Sequence, residues 1–492
     1  MPAVTSPTED AGRAHPARPG AVVAVLAFGG IVVSVMNTLV VPLISQLPTL
    51  LHATASDASW AITATLLAGA VATPVVGRLG DMFGKRRMLL LSVCVLVAGS
   101  IVCALSGSLA PMVVGRTLQG CGVGVIPLGI SIMRDELPPD KIGSSVALMS
   151  SSLGVGGALG LPGAALLAQH ADWHVLFWVS AALGAVVFAL VLAFVPESRV
   201  RSGGRFDLVG GIGLSAGLVC LLLAISKGAD WGWTSGRTDG LFSAAVLIFL
   251  VWGRWELRSK RPLVDLRTTA RRQVLLTNLA SVVVGFAMYA MSLVLPQLLQ
   301  MPKATGYGLG QTMLVAGLCL APGGLVMMVV SPLSAWITAN WGPKFSLMLG
   351  SAVVAAGYGL SVVFMDAVWQ LIVVATLIGG GIGLAYGAMP ALIMSAVPQS
   401  ETASANGLNS LMRSMGTSIS AAVVGVVLAH MTTAFGTYSL PSRAGFRTAM
   451  IIGCGAAAAA VVLAGFLPNG RPVARVAAAP DGHTVAEPAP AG

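Results

Sequence analysis

Fourteen apolar runs pattern this chain. They fall at about 21–45, 58–79, 88–106, 110–133, 142–168, 173–195, 208–226, 240–256, 274–299, 311–338, 346–365, 368–396, 403–430 and 446–467. A helix needs ~20 apolar residues to cross a bilayer, so each run predicts a spanning helix. The shortest, 240–256, ends in WGRWE. Polar residues collect between the runs and in the two tails. The pattern predicts an all-α integral membrane protein.

The second and third runs are joined by GRLGDMFGKRR, residues 77–87, and the chain is organised around this stretch. So short a connection between two spans is a hairpin at a membrane surface. Lys85, Arg86 and Arg87 place that surface on the cytoplasmic side. Gly77 and Gly80 let helix ends approach closely. Asp81 sits at a helix end, where a carboxylate pairs with a cation or caps free N–H groups.

An even number of spans puts both termini on one side. Of the 28 Lys and Arg, 21 fall in that side's segments, five on the opposite side (Lys227, Arg237, Lys303, Arg443, Arg447) and two, Arg116 and Arg413, inside spans. Both termini are therefore expected in the cytoplasm.

Composition agrees. Of 492 residues, 56% are hydrophobic and only 9% charged, with mean hydropathy +0.86; a soluble domain carries ~25% charged residues. The net charge of +10 reflects cytoplasmic loops rather than a nucleic-acid partner. Six cysteines lie in or near apolar runs and read as small apolar residues. No secretory signal is evident before the first run. Residues 471–492, rich in Ala and Pro, read as a disordered tail.

The chain also repeats itself. Pro74 and Gly84 correspond to Pro332 and Gly342, Gly124 to Gly383, and Pro138, Gly156 and His170 to Pro398, Gly416 and His430. The near-constant offset predicts two parallel halves. The expected organisation is an N-tail at 1–20, a six-helix bundle at 21–195, a linker with two extra spans at 196–273, a second six-helix bundle at 274–467, and a C-tail at 468–492. The second copy of the loop is degraded: Ala335 stands for Gly77, Ala339 for Asp81 and Lys344 for Arg86. The basic segment 257–273 reads as an anchor to anionic lipid, with partner docking as the alternative.

Gly77, Leu79, Asp81, Gly84, Arg86 and Arg87 resemble the signature loop of the major facilitator superfamily, G-x-L-x-D-x-x-G-x-R/K-R/K. The six-plus-two-plus-six pattern resembles that superfamily's fourteen-span drug:proton antiporter branch. The resemblance implies the superfamily fold, alternating access and export of amphipathic compounds.

Several residues then stand out. Arg116 is a cation inside a bundle, which is a functional hypothesis by default; snorkelling to the nearby span end is the alternative. Arg116, Gln119 and Gly120 resemble the family's R-x-x-Q-G motif, whose arginine the family assigns to proton coupling. Gly156 and Gly160 form a small-x-x-x-small face and Pro162 kinks the span. They resemble the antiporter motif G-x-x-x-G-P-x-x-G-G, except that the proline is one residue late and Ala164-Ala165 replace the Gly pair. In the family this face packs the halves together. Asn406, Asn409 and Arg413 share a helical face that looks into the cavity or forms a polar seam between helices. Met288, Tyr289, Met291 and Tyr386 line a pliable site or belong to the core.

Asn37 stands where the family often has an acid, and none of the 18 acids lies mid-span. The nearest proton-binding candidates are Asp81, Asp135 and Glu136, with Arg116 as an electrostatic partner. No P-loop, HExxH or CxxC occurs, so no enzyme, metal or cofactor is expected. The reading is a monomeric efflux transporter of the cell membrane, exporting hydrophobic or cationic small molecules by proton antiport. The substrate cavity is expected around Asn37, Tyr289, Asn409 and Arg413. Uptake or facilitated passage of a defined solute, and a non-transporting membrane sensor, stay open.

Overall fold

The computed structural model describes residues 19–40, 43, 47–198, 200–203, 206–259, 262–435 and 438–468. The expected tails fall almost wholly outside these residues. Fourteen helices are long and apolar enough to cross a membrane: α1 (Pro19–Thr38), α2 (Trp60–Phe83), α3 (Lys85–Ala104), α4 (Leu109–Glu136), α5 (Pro139–Leu167), α6 (His174–Phe194), α7 (Leu208–Trp231), α8 (Gly236–Arg258), α9 (Arg272–Gln300), α10 (Met313–Trp341), α11 (Pro343–Val363), α12 (Val368–Met394), α13 (Gln399–His430) and α14 (Arg443–Gly465). Each matches one predicted run. Two carry breaks beside prolines. A 3₁₀ turn at Gly122–Gly124 precedes Pro127 in α4, and α10 turns at Val330 before Pro332.

Helix pairing repeats between the halves. In the first, α1 packs on α5 and α6, α2 on α4, and α3 on α4 and α6. In the second, α9 packs on α13 and α14, α10 on α12, and α11 on α12 and α14. Each half has its own apolar core. The seams between halves repeat too: α2 meets α13, and α10 meets α5. The sequence repeat is visible in detail. Gly84 and Gly342 both cap the helix that follows, with φ of +115° and +88°, where a side chain would be strained. A Cβ on Gly156 would strike Ser34 of α1, and one on Gly416 would strike Val282 of α9.

The extra pair is central in sequence and peripheral in the fold. Helix α7 touches α2 and α13, and α8 packs on α7. Val246, Leu247, Leu250 and Val251 of α8 are each at least 60% exposed, as a lipid-facing helix requires. One feature departs from the all-α expectation. Thr432–Phe435 and Tyr438–Pro441 form an antiparallel hairpin between α13 and α14. Threonine and aromatic residues favour strands once outside the apolar run.

Candidate functional site

The α2–α13 seam is closed at the signature-loop end by backbone and charge together. Gly77 lies so close to α13 that a Cβ would sit 2.6 Å from the Ala403 carbonyl oxygen. One turn on, the fully buried Asp81 carboxylate accepts the backbone N–H groups of Ala403 (3.2 Å) and Ser404 (2.7 Å). These are free donors of the first helical turn of α13, which becomes α-helical at Thr402. Asp81 thus caps a helix of the opposite half, where the helix dipole also favours an anion.

A second layer supports this contact. Lys85, also fully buried, lies 3.7 Å from Asp81 and donates to Asp135 at 2.6 Å. Asp135 ends α4 and also accepts from Ser198 (2.5 Å) and from Gln399 of the other half (3.3 Å). Its neighbour Arg134 donates to Thr402 Oγ1 (2.5 Å) and the Val397 carbonyl (3.3 Å). Two carboxylates enclosing one ammonium satisfy charges that would be costly to bury alone. Glu197, just past α6, holds the loop from behind. It accepts from the Arg86 amide at 3.3 Å and lies 3.7 Å from the Arg87 guanidinium.

The α5–α10 seam is built differently. With Ala339 in place of Asp81, no carboxylate reaches across among the described residues. A cleft of about 620 Å³ opens there, bordered by Val23, Ser144, Leu148, Met328 and Pro332. Further along, small residues close this seam: Gly324 sits against the Gly154 carbonyl and Ala158, and Gly317 against Pro162.

Toward the opposite end, Arg116 is 2% exposed. It donates to the carbonyls of Ala61 in α2 (3.1 Å) and Met36 in α1 (3.4 Å), and to Gln119 Oε1 (2.7 Å). Gln119 donates onward to Ser100 of α3 at 2.8 Å. One guanidinium therefore ties four helices. It turns inward, which overturns the snorkelling alternative. No carboxylate lies within ion-pairing distance among the described residues, which corrects its expected partnership with Asp81, Asp135 or Glu136. Asp135 is 19 residues along the same helix, about 28 Å at ~1.5 Å per residue.

In the second half, the half-buried Arg413 stacks 4.9 Å from the centre of the Tyr386 ring and donates to Ser410 at 3.0 Å. The Tyr386 hydroxyl approaches Met288 Sδ at 3.3 Å. These three bring α9, α12 and α13 to one place, beside the half-buried Tyr289. Asn409 is the exception to the cavity expectation. It is 2% exposed and donates to Asn278 and Ser281 of α9 at 2.9 and 2.7 Å. It belongs to a seam between helices. Asn37 is half-buried and bonds its own helix, at the Val33 carbonyl (3.1 Å).

Comparison with known proteins follows from this arrangement. The Major Facilitator Superfamily profile matches residues 26–421. The chain belongs to the major facilitator superfamily. Its relatives include the "Tetracenomycin C resistance and export protein" of Streptomyces glaucescens, 29% identical over 92% of this chain and 84% of that one. The "Multidrug resistance protein Stp" of Mycobacterium tuberculosis is 30% identical over 76% of this chain and 69% of its own. Among solved structures, the human organic anion transporter MFSD10 (TETRAN) shares the fold, with a TM-score of 0.65 at 15% identity, covering 91% of this chain and 99% of that one.

Within this facilitator, the antiporter-like residues divide between two faces. Gly156 and Gly160 press on Ser34 and Thr38 of α1, inside one half. Only Pro162 of the three faces the other half, at Gly317. The small residues that join the halves are Gly154 and Ala158, two positions earlier. A 100° turn per residue explains it: positions 154, 158 and 162 share one face, and 156 and 160 another. Gly156→Leu is expected to wedge α1 from α5 and to lower the melting temperature by at least 5 °C. An unchanged melting temperature in detergent would show that α1 yields freely.

Sequence reasoning missed three participants. Lys85 read as one of three surface cations, yet it alone turns inward. Arg134, beside Asp135, carries no motif signal and yet bonds Thr402 and Val397 of the other half. Lys227 was assigned to an outer loop, but it is 1% exposed within α7. Each is a charge adjoining an apolar run, and that adjacency was the available signal.

Proposed function

We propose that this facilitator exports hydrophobic or cationic small molecules, drugs and antibiotics among them, across the cell membrane by proton antiport. The two halves, 21–195 and 274–467, rock about a central cavity as one monomer, with both termini in the cytoplasm. The Asp81 cap on α13 carries this reading. It is a reversible charge contact across a seam that alternating access must open. Relatives named for drug resistance and export supply the substrate class. Asp81, Lys85 and Asp135 bring ionisable groups to that mouth, where a proton reaches them when the seam parts. Arg116 and Gln119 hold the far end of the first half in register.

The deciding experiment uses vesicles with an imposed pH gradient and a panel of aromatic cations. Export that grows with the gradient is expected. Export indifferent to the gradient would reject antiport by protons. No export of any panel member would reject the efflux reading. The orientation has its own check. A cytoplasm-dependent reporter fused at residue 470 is expected to be active, and activity of an exported reporter there would overturn it.

A further inference from the structure

Helix α7 touches both moving halves, but by different means. Toward α2 it is clamped by polar groups. The Lys227 ammonium donates to Ser59, just before α2 (2.5 Å), and lies 5.3 Å from the centre of the Trp60 ring, while Asp230 of α7 itself accepts from it at 3.0 Å. One residue before it, Ser226 shares a 3.1 Å hydrogen bond with Thr63. Toward α13 the contact is apolar, with Leu214, Leu218 and Leu222 against Leu408 and Leu411. Leu67, Ala70 and Val71 of α2 join the same apolar cluster, so the hydrogen bonds of Ser226 and Lys227 are what α7 adds toward the first half, while the leucine face permits sliding against the second.

Where α2 and α13 meet, at Gly77 and Gly407, no room remains. Toward the opposite end lies a cavity of about 110 Å³ with α7 as its third wall. Thr63, Leu222, Ser226, Ala229, Ala422 and Gly425 line it. Small side chains on α7 and α13 make the space; a Cβ on Gly425 would meet nothing within 4 Å. It is smaller than the ~150 Å³ apolar cavity that holds benzene, but Ser226 and Ala229 are exposed at its mouth, so a ring can enter it by one edge. The Thr63–Ser226 hydroxyls add one polar edge to it. Because α13 forms one wall and α2 and α7 the others, rocking of the halves changes its shape.

We propose that this crevice between α2, α7 and α13 is a side pocket of the substrate site, taking an aromatic ring of the transported compound. The extra pair then contributes specificity through Leu222, Ser226 and Ala229. The proposal rests on the export reading for the nature of its ligand.

The test measures equilibrium binding of ethidium, rhodamine 6G and tetraphenylphosphonium to the purified full chain. Ala422→Phe and Ala229→Phe fill the pocket from two different helices. At least tenfold weaker binding of one or more probes is expected, with the melting temperature unchanged. Binding within twofold of wild type for all three probes overturns the pocket, as does no wild-type binding of any probe. Should both variants misfold, Ser226→Cys serves instead. Protection of this cysteine from N-ethylmaleimide by the probes supports the pocket, and equal labelling with and without them overturns it. Probe binding that depends on Ala422, in a protein whose vesicles export nothing, leaves the pocket standing and removes export. Export that ignores both fillings does the reverse.

Discussion

Asp81→Asn is expected to insert and fold normally and to export at under one-tenth of the wild-type rate. The side chain keeps its shape but loses its charge. One carboxylate oxygen becomes an amide that donates toward N–H groups that themselves donate. Each charge-assisted bond to a buried anion is worth roughly 1.5–3 kcal/mol. Losing about 3 kcal/mol at this seam shifts the balance of closed and open forms by roughly 100-fold. Lys85 keeps Asp135 as its partner at 2.6 Å, so the fold tolerates the change. Fluorescent substrate efflux, normalised to membrane protein, measures the rate. Normal efflux from a well-expressed variant would reject the gating role.

Replacing Arg116 is expected to act through a different route. Arg116→Ala leaves the Ala61 and Met36 carbonyls and Gln119 Oε1 without their shared donor. The Ala61 carbonyl keeps the Thr65 hydroxyl at 3.1 Å, but Gln119 Oε1 is left as a buried acceptor without a donor, which costs about 1–3 kcal/mol, so the melting temperature should fall. Arg116→Lys keeps a charge, but one ammonium on a flexible stem cannot reproduce a planar fork spanning three acceptors. It should export at least tenfold more slowly than wild type. The informative readout is accumulation against an imposed pH gradient. If Arg116→Ala is merely less stable, efflux per folded molecule will match wild type. If Arg116 carries coupling, that efflux will stop tracking the gradient. Wild-type rate and gradient dependence together would remove Arg116 from the mechanism.

Much of the architecture could be read from sequence because membrane helices declare themselves by length and apolar composition. All fourteen spans and the parallel repeat belong to that class of information. What stayed hidden were partners. Asp81 was recognised at a helix end, but its donors lie 322 and 323 residues away. Nothing in local pattern says which of Lys85, Arg86 and Arg87 faces inward. The face of α5 was misassigned because a motif gives spacing along a helix and not the neighbour it meets. Lys227 was misplaced because a charge ends an apolar run on paper, while Ser59, Trp60 and Asp230 accommodate it in space.

The degraded second loop has a kinetic consequence. With Ala339 opposite α5, the two seams of a pseudo-symmetric carrier are held unequally. Were both capped by a buried carboxylate, two such contacts would have to break in one event and their barriers would add. At about 3 kcal/mol each, the second would slow opening roughly 100-fold. With one such seam, the activation energy for leaving the closed state is concentrated where Asp81, Arg134 and Asp135 reach across to the start of α13. Turnover frequency can then be tuned, faster or slower, by substitutions around Asp81 without rebuilding the centre of the bundle.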